Sequence, residues 1–446
     1  MKGDLHLLTA RDSVQAIVGG SLSSEALVEA CLKRISETDG TLKAWAHLDE
    51  NSALEQAREM DRVRRTGRAT GLLHGVPVGL KDIIDTANVP CRRGSALFDN
   101  RVPDKSATVA DRLIEAGAVI MGKTKTTELA FVHPTDTTNP HDPLRSPGGS
   151  SSGSAAAVAA NQVPLAIGSQ TGGSVIRPAS FCGIYGFKPS RGMISRAGVL
   201  QTSTTLDHLG TFGRTLEDAA LLVNAISGYD PQDDASLPRP RPDFLGGALA
   251  ETQIEPAIAW LDFPFHDLMA SDTREGMEAV LEALGDRVER LPVADTLADL
   301  AEVHITIHEY EFCHHLAEPL AASWNKLSHT LQPVVERGRT ISDAQYQDAL
   351  EVRRSAFLFF AQLYNDFDAI IEPSATGEAP LISSGETGDP IFCRLASFVG
   401  LPSLTLPILV GENELPIGVQ LIGGREEDSR LLRTASRVQN VLKEAD

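Results

Sequence analysis

Cysteine is sparse in this chain of 446 residues. Cys31, Cys91, Cys182, Cys313 and Cys393 are scattered, odd in number and never spaced as CxxC. That pattern indicates neither a disulfide framework nor a zinc knuckle, and it suits a reducing, cytoplasmic setting. Dense clusters of Lys and Arg are also missing. The formal net charge is -20 and the sequence pI is about 5.0. Proteins that bind nucleic acid backbones or anionic membranes are normally basic somewhere, so neither is expected as a partner. No apolar run approaches the roughly 18 residues that mark a membrane span. Met1-Lys2-Gly3-Asp4 leads into a polar helical pattern, so no secretory signal is expected there. No solenoid-type repeat is visible.

What remains is a composition ordinary for a soluble globular enzyme, 42% hydrophobic and 22% charged. The first 65 residues read as helices: Ser24 precedes one amphipathic run, through Ile35, and Ser52 a second, ending near Arg64. Residues 71–80 form a short apolar strand with turn residues. A helix over 106–116 followed by a strand over 118–122 points to α/β organisation. Gly153 to Asn161, rich in Ala, reads as a tightly packed helix, and Pro164 to Gly168 as a buried strand. Pro231 to Pro242 reads as a surface excursion, and 272–366 as largely helical. Strand-like runs return at 368–371, 403–408 and 417–422, before a closing helix over 428–443. The expected organisation is one domain over 1–446. It comprises N-terminal helices (1–65), a catalytic core (66–230), a mostly helical excursion (231–366) and C-terminal strands and helix (367–446).

The densest chemistry lies between Gly148 and Arg191. Gly148-Gly149-Ser150-Ser151-Ser152-Gly153-Ser154 opens it, and Gln170-Thr171-Gly172-Gly173-Ser174 with Arg177-Pro178 follows. Two glycine-serine turns concentrate hydroxyls and exposed N–H groups, which acyl transfer needs as nucleophile, relay and oxyanion donors. The local stretch lacks a base. Lys81, at the end of the apolar run from His74, is a candidate, because burial favours a neutral amine. A lysine so placed can equally be a snorkelling surface residue. A flexible linker is the plain alternative for the glycine-serine run, but its flanks are apolar and patterned. Gly149 to Gly153 also satisfies G-x-S-x-G, which would make Ser151 the nucleophile of an α/β-hydrolase elbow. None of the downstream histidines needed for that fold (His208, His304, His308, His314, His315, His329) sits in a telling context. The run from His308 to His314 is not H-E-x-x-H, so a solvated helix face or a pocket wall is expected there and no metal site.

Taken in order, the segments resemble the amidase signature hydrolases over nearly the whole chain. They include Gly75 to Asp82, Ala116-Gly117-Ala118, Gly122-Lys123-Thr124 and Asn139-Pro140. Gly148 to Asn161 and Gly168 to Pro189 match most closely, and Asp207-His208-Leu209-Gly210, Gly400-Leu401-Pro402 and Leu415 to Gln420 continue the series. The resemblance implies an α/β fold with a mixed central sheet covered by helices on both sides. It makes Ser174 the nucleophile, Ser150 the bridging cis-serine and Lys81 the base. Thr171, Gly172, Gly173 and Ser174 would supply the oxyanion hole, with no metal or organic cofactor. Gly149 and Ser151 are added as substrate-binding candidates. Family members often carry Asp where this chain has Gln170, and Ile-Arg directly after the nucleophile. Ser174-Val175-Ile176-Arg177-Pro178 resembles malonamidase-like members instead, in which this arginine meets a substrate carboxylate. The competing role for Arg177 is structural, bonded to nearby carbonyls.

The implied activity is hydrolysis of carbon–nitrogen acyl bonds in small carboxamides or anilides, with carbamates (a urethanase activity) and esters within reach of the same machinery. The partner is then a small-molecule amide or carbamate, and a homodimer is left open. Two other classes stand beside it. One is the glutaminase subunit of an amidotransferase complex; Gln170, the Val175-Ile176-Arg177 order and a short C-terminal half weigh against it. The other is a catalytically idle scaffold, opposed by the intact Lys81, Ser150 and Ser174. Pocket walls are expected from Thr126 to Asp136 and from the 300–390 region.

Overall fold

Helix caps organise the N-terminal region. The computed structural model describes residues 4–251, 254–293 and 299–445; Met1 to Gly3, read above for a leader, lie outside them. The first long helix spans Ser24–Leu42 and the second Glu50–Arg65. Ser23 caps the first, its Oγ accepting from the Ala26 N–H at 3.1 Å. That leaves the Ser24 hydroxyl to donate to the Gly75 carbonyl at 2.8 Å. Asp49 caps the second, accepting from the Ser52 N–H at 3.0 Å, so this helix begins before Ser52. An acidic side chain there satisfies an orphan donor and complements the helix dipole.

Eleven strands among the described residues form one mixed sheet. They are Trp45–Leu48 (β1), Pro77–Lys81 (β2), Val119–Thr124 (β3), Leu165–Gln170 (β4), Tyr185–Lys188 (β5) and His208–Gly213 (β6). Ile258–Asp262 (β7), Val288–Pro292 (β8), Ala369–Pro373 (β9), Ser403–Val410 (β10) and Pro416–Gly423 (β11) complete it. Their order is β1-β3-β2-β4-β6-β5-β10-β11-β9-β7-β8. Three of them depart from the sequence reading. β1 falls inside the stretch assigned to helices, and β7 and β8 inside the mostly helical excursion. β1 has only four residues, too few for a periodic signal, and is held by antiparallel pairing to β3. β8 is a sheet edge with exposed Glu289 and Arg290, so it lacks an apolar signature.

Alternation along the central strands feeds two separate cores. Val78 and Leu80 of β2, Ile120 of β3, and Leu165 and Ile167 of β4 join one apolar cluster, shared with Leu113, Leu222 and Leu432. Val119 and Met121 of β3 and Ala166 of β4 join a second, shared with Leu27, Val28 and Ala57 of the N-terminal helices. A period of two thus places helices on both faces. Each fully buried Leu, Ile or Phe contributes about 1.5–3 kcal/mol.

The Pro231 to Pro242 segment is more than a surface excursion. Asp233 in it is buried and ion-paired with Arg196 at 2.7 Å, and Ala235 and Ser236 are buried beside it. A charged pair satisfied on both sides clamps the first half of the segment to the core.

Candidate active site

β2 and β4 are parallel neighbours, with Val78 opposite Leu165 and Leu80 opposite Ile167. Both therefore end on the same side of the sheet. Lys81 closes β2, and Ser169 and Gln170 close β4. The carboxyl ends of parallel strands form a crevice in such sheets, and here that end gathers Lys81, Ser169 and Gln170. The helix Ser152–Ala159 packs against β4 and brings Ser150 and Ser151 alongside. A Cβ on Gly168 would stand 2.6 Å from Ser151 Oγ, so only glycine permits this approach. The Gly149–Ser150 peptide is cis, as the resemblance implies.

Lys81 is fully buried, with Nζ 2.7 Å from Ser150 Oγ and 2.8 Å from Ser169 Oγ. Among the described residues, no carboxylate pairs with it. The nearby Asp207 is occupied, accepting from Thr171 Oγ1 and from the N–H groups of Thr202 (2.7 Å) and Ser203 (2.9 Å). Burial holds the Lys81 amine well below its ordinary pKa, against the opposing pull of Asp207. Lys123 and Lys188 are buried too. They donate to the carbonyls of Ile84 and Leu401 respectively. Lys81 differs in meeting two serine hydroxyls. Ser169 had no role in the sequence reading; the β2–β4 register brings it to Lys81.

The loop from Thr171 to Ser174 is held by its carbonyls and by Gln170. His304 Nε2 lies 2.8 Å from the Thr171 carbonyl, and Ser397 Oγ donates to the Gly172 carbonyl at 2.8 Å. Gln170 Oε1 accepts from the N–H groups of Val175 (2.9 Å) and Ile176 (3.0 Å), and its Nε2 donates to Ser397 Oγ at 3.0 Å. Among the described residues, the N–H groups of Gly172, Gly173 and Ser174 have no acceptor. Ser174 is half-buried, and its Oγ makes no hydrogen bond to Ser150 or to any other described group. A Cβ on Gly173 would lie 2.9 Å from that of Pro390 and 3.0 Å from that of Cys393, so the helix Ile391–Val399 presses directly on the loop.

The chain has relatives among known proteins. The Amidase family profile matches residues 26–432. The chain belongs to the amidase family. It is 34% identical over 485 aligned positions to a glutamyl-tRNA(Gln) amidotransferase subunit from Chloroflexus aggregans, covering 98% of this chain and 97% of that one. Among solved structures it is similar to a chain of the vestigial protein complex that reveals the evolutionary origins of an s-triazine catabolic enzyme. That match has 29% identity, a TM-score of 0.91 and covers 98% of both chains. The native peptide amidase of Stenotrophomonas maltophilia is similar at 30% identity and a TM-score of 0.84, over 97% of this chain and 96% of that one. The sheet with helices on both faces is the amidase signature fold.

In this amidase-family chain, Ser174 opens on a cavity of about 400 Å³. Its walls come from 130–132, from 171–177 and from 304–394; Arg394 lies just beyond the 300–390 region expected. Phe131, Val132, Ile305 and Val334 supply an apolar side. His304 and His308 form a pocket wall, and His308 stacks on Phe131 with centroids 4.4 Å apart. Burial pushes His304 down to about 3 and His308 well below its ordinary value, so both are neutral. No His/Cys/Asp/Glu cluster among the described residues is arranged to hold a metal.

The remaining candidates fall in different places. Arg177 lines the cavity but is buried, with Nη2 donating to the Gly149 carbonyl at 2.7 Å and to Thr387 Oγ1 at 3.3 Å. Its Nε has no partner, and burial lowers its pKa to about 10. Gly149 thus meets Arg177 through its carbonyl. Ser151 is fully buried and does not line the cavity; its Oγ lies 3.2 Å from both the N and the O of Ser169. That is not the exposed elbow that a G-x-S-x-G nucleophile requires. No helix among the described residues is long and apolar enough to cross a membrane.

Proposed function

We propose that the chain hydrolyses the C–N bond of small carboxamides or anilides through an acyl-enzyme on Ser174, with carbamates and esters as further substrates. One observation carries the reading: a fully buried lysine, with no carboxylate partner among the described residues, lies 2.7 Å from Ser150 Oγ, beside the loop that carries Ser174. A buried unpaired ammonium costs several kcal/mol, so the amine rests neutral. A neutral amine has one lone pair and two N–H groups. Ser169 accepts one N–H, which turns the lone pair toward the Ser150 O–H.

Lys81 takes the Ser150 proton as Ser150 takes that of Ser174, and Ser174 Oγ bonds to the acyl carbon. The oxyanion is met by the free N–H groups of Gly172, Gly173 and Ser174 with that of Thr171 beside them, an effect worth about 3–4 kcal/mol per donor in other hydrolases. The C–N bond breaks as the relay returns a proton to nitrogen and the amine leaves. Water then adds to the acyl-enzyme through the same relay, releasing the acid and restoring Ser174. The apolar wall of the cavity accommodates an aryl or alkyl group.

The test is a panel of aliphatic amides, anilides, carbamates and esters read by amine or alcohol release. Ser174→Ala should lose at least about a thousandfold in kcat with unchanged circular dichroism. A purified variant keeping more than a few per cent of turnover sinks the assignment.

A second reading is a glutaminase subunit working within an amidotransferase complex. The 34% identity to amidotransferase subunits favours it. That match runs over 97% of the relative, so a short C-terminal half carries no weight against this reading. Glutamine-dependent ammonia release, together with a co-purifying subunit, would select it over a free-standing amidase.

A further inference from the structure

We infer that Arg394 is a specificity residue that binds a carboxylate on the substrate, so that this cavity takes acid-bearing amides. The inference rests on the hydrolase reading above and names its substrate class.

Charge on the cavity wall runs against the rest of the chain. The protein carries -20 overall, yet the cavity is lined by Arg177, Arg337 and Arg394 against one carboxylate, Glu309. Arg337 is paired with that carboxylate, Nη2 to Oε1 at 2.5 Å. Arg177 has committed Nη2 to Gly149 and Thr387. Arg394 is half-buried and makes no hydrogen bond or ion pair with any described residue. Asp389 is the acidic neighbour it feels most, but no ion pair within 4.0 Å forms between them. A partly desolvated guanidinium with its donors unspent is costly unless something else occupies them. Its planar fork matches a carboxylate with two parallel hydrogen bonds.

The position suits recognition. Arg394 sits on the helix Ile391–Val399, the same helix whose Cys393 packs on Gly173 and whose Ser397 holds the Gly172 carbonyl. A substrate carboxylate bound there is fixed relative to the oxyanion loop by one rigid element. The apolar wall around Phe131 faces the rest of the molecule.

The experiment measures protection of Ser174 from a serine-reactive fluorophosphonate by malonate, succinate and glutarate, each against its neutral diamide. In the wild type the acids should protect at concentrations about tenfold or more below the diamides, as a charge-assisted pair implies. Arg394→Gln should remove most of that preference, and Arg394→Lys should keep part of it. Equal protection by acids and diamides in the wild type, or a preference that survives in Arg394→Gln, overturns the inference. If Arg394→Gln does not fold, Arg394→Lys decides: an undiminished preference there overturns it. Failure of Ser174 to label at all counts against the hydrolase reading instead. Calorimetric titration of succinate and succinamide into wild type and Arg394→Gln then still gives the acid preference directly.

Discussion

Arg177 donates from Nη2 to the Gly149 carbonyl at 2.7 Å, which ties the helix following Ser174 to the peptide that carries Ser150. In the mechanism proposed above, this bond links the segments carrying the two relay serines, Ser150 and Ser174. Arg177→Met should therefore lower kcat for acidic and neutral amides by a similar factor. A hydrogen bond to a charged group is worth about 1.5–3 kcal/mol, or about 10–100-fold. Steady-state kinetics on one acidic and one neutral amide decide it. A loss confined to the KM of the acidic substrate would instead make Arg177 the carboxylate reader.

The protonation of Lys81 sets the pH dependence. Its pKa in the folded chain is lowered well below 10.5 by burial, and in the proposed mechanism the neutral form is the active one. The rate is thus lost as pH falls through the lowered value and is fully present above it. The kcat/KM profile for an amide should rise with pH and level off well below pH 10.5. A rise that continues to about pH 10 with chemistry rate-limiting would mean an ordinary exposed amine.

Replacing Lys81 by Ala should separate leaving groups. Amide nitrogen needs a proton to depart and an activated phenolate does not. The loss should be at least about tenfold larger for an anilide than for a nitrophenyl ester of the same acid. Equal losses would remove the relay from the leaving-group step.

Ser169→Ala tests the orientation of the amine. The hydroxyl accepts from Lys81 in either protonation state, and more strongly from the ammonium. Removing it should lower kcat about 5–10-fold, the worth of one ordinary hydrogen bond, and shift the inflection of the pH profile downward. An unshifted inflection would leave Ser169 a packing residue only.

Gln170→Glu tests the loop brace. A carboxylate can still accept from Val175 and Ile176, but it cannot donate to Ser397 Oγ as Gln170 Nε2 does at 3.0 Å. Ser397 would turn its O–H to the new carboxylate and release the Gly172 carbonyl. The expected outcome is a lower kcat with little change in KM, because the freed loop misplaces donors felt only by the oxyanion. A change confined to KM would count against that reading.

The sequence by itself determined the parts whose physics is local. The glycine-serine turns, the Ala-rich helix after Ser150 and the apolar run into Lys81 are written in neighbouring residues. Turn chemistry, small side chains and strand alternation act over a few positions. Lys81, Ser150 and Ser174 were legible because their segments carry motifs. Tertiary structure alone decided which distant groups meet them. Gln170 bonds Ser397 from 227 residues away, and His304 reaches the Thr171 carbonyl across 133. Arg394 lies on the same helix as Ser397, in a stretch to which the sequence reading gave no role. Ser169 stood in plain view, yet its contact with Lys81 depends on the register of β2 against β4. A one-residue slip there would turn it to the other face. Strands β1 and β8 were hidden for the same reason. A short or edge strand has little pattern of its own, and its pairing partners, not its own residues, make it a strand.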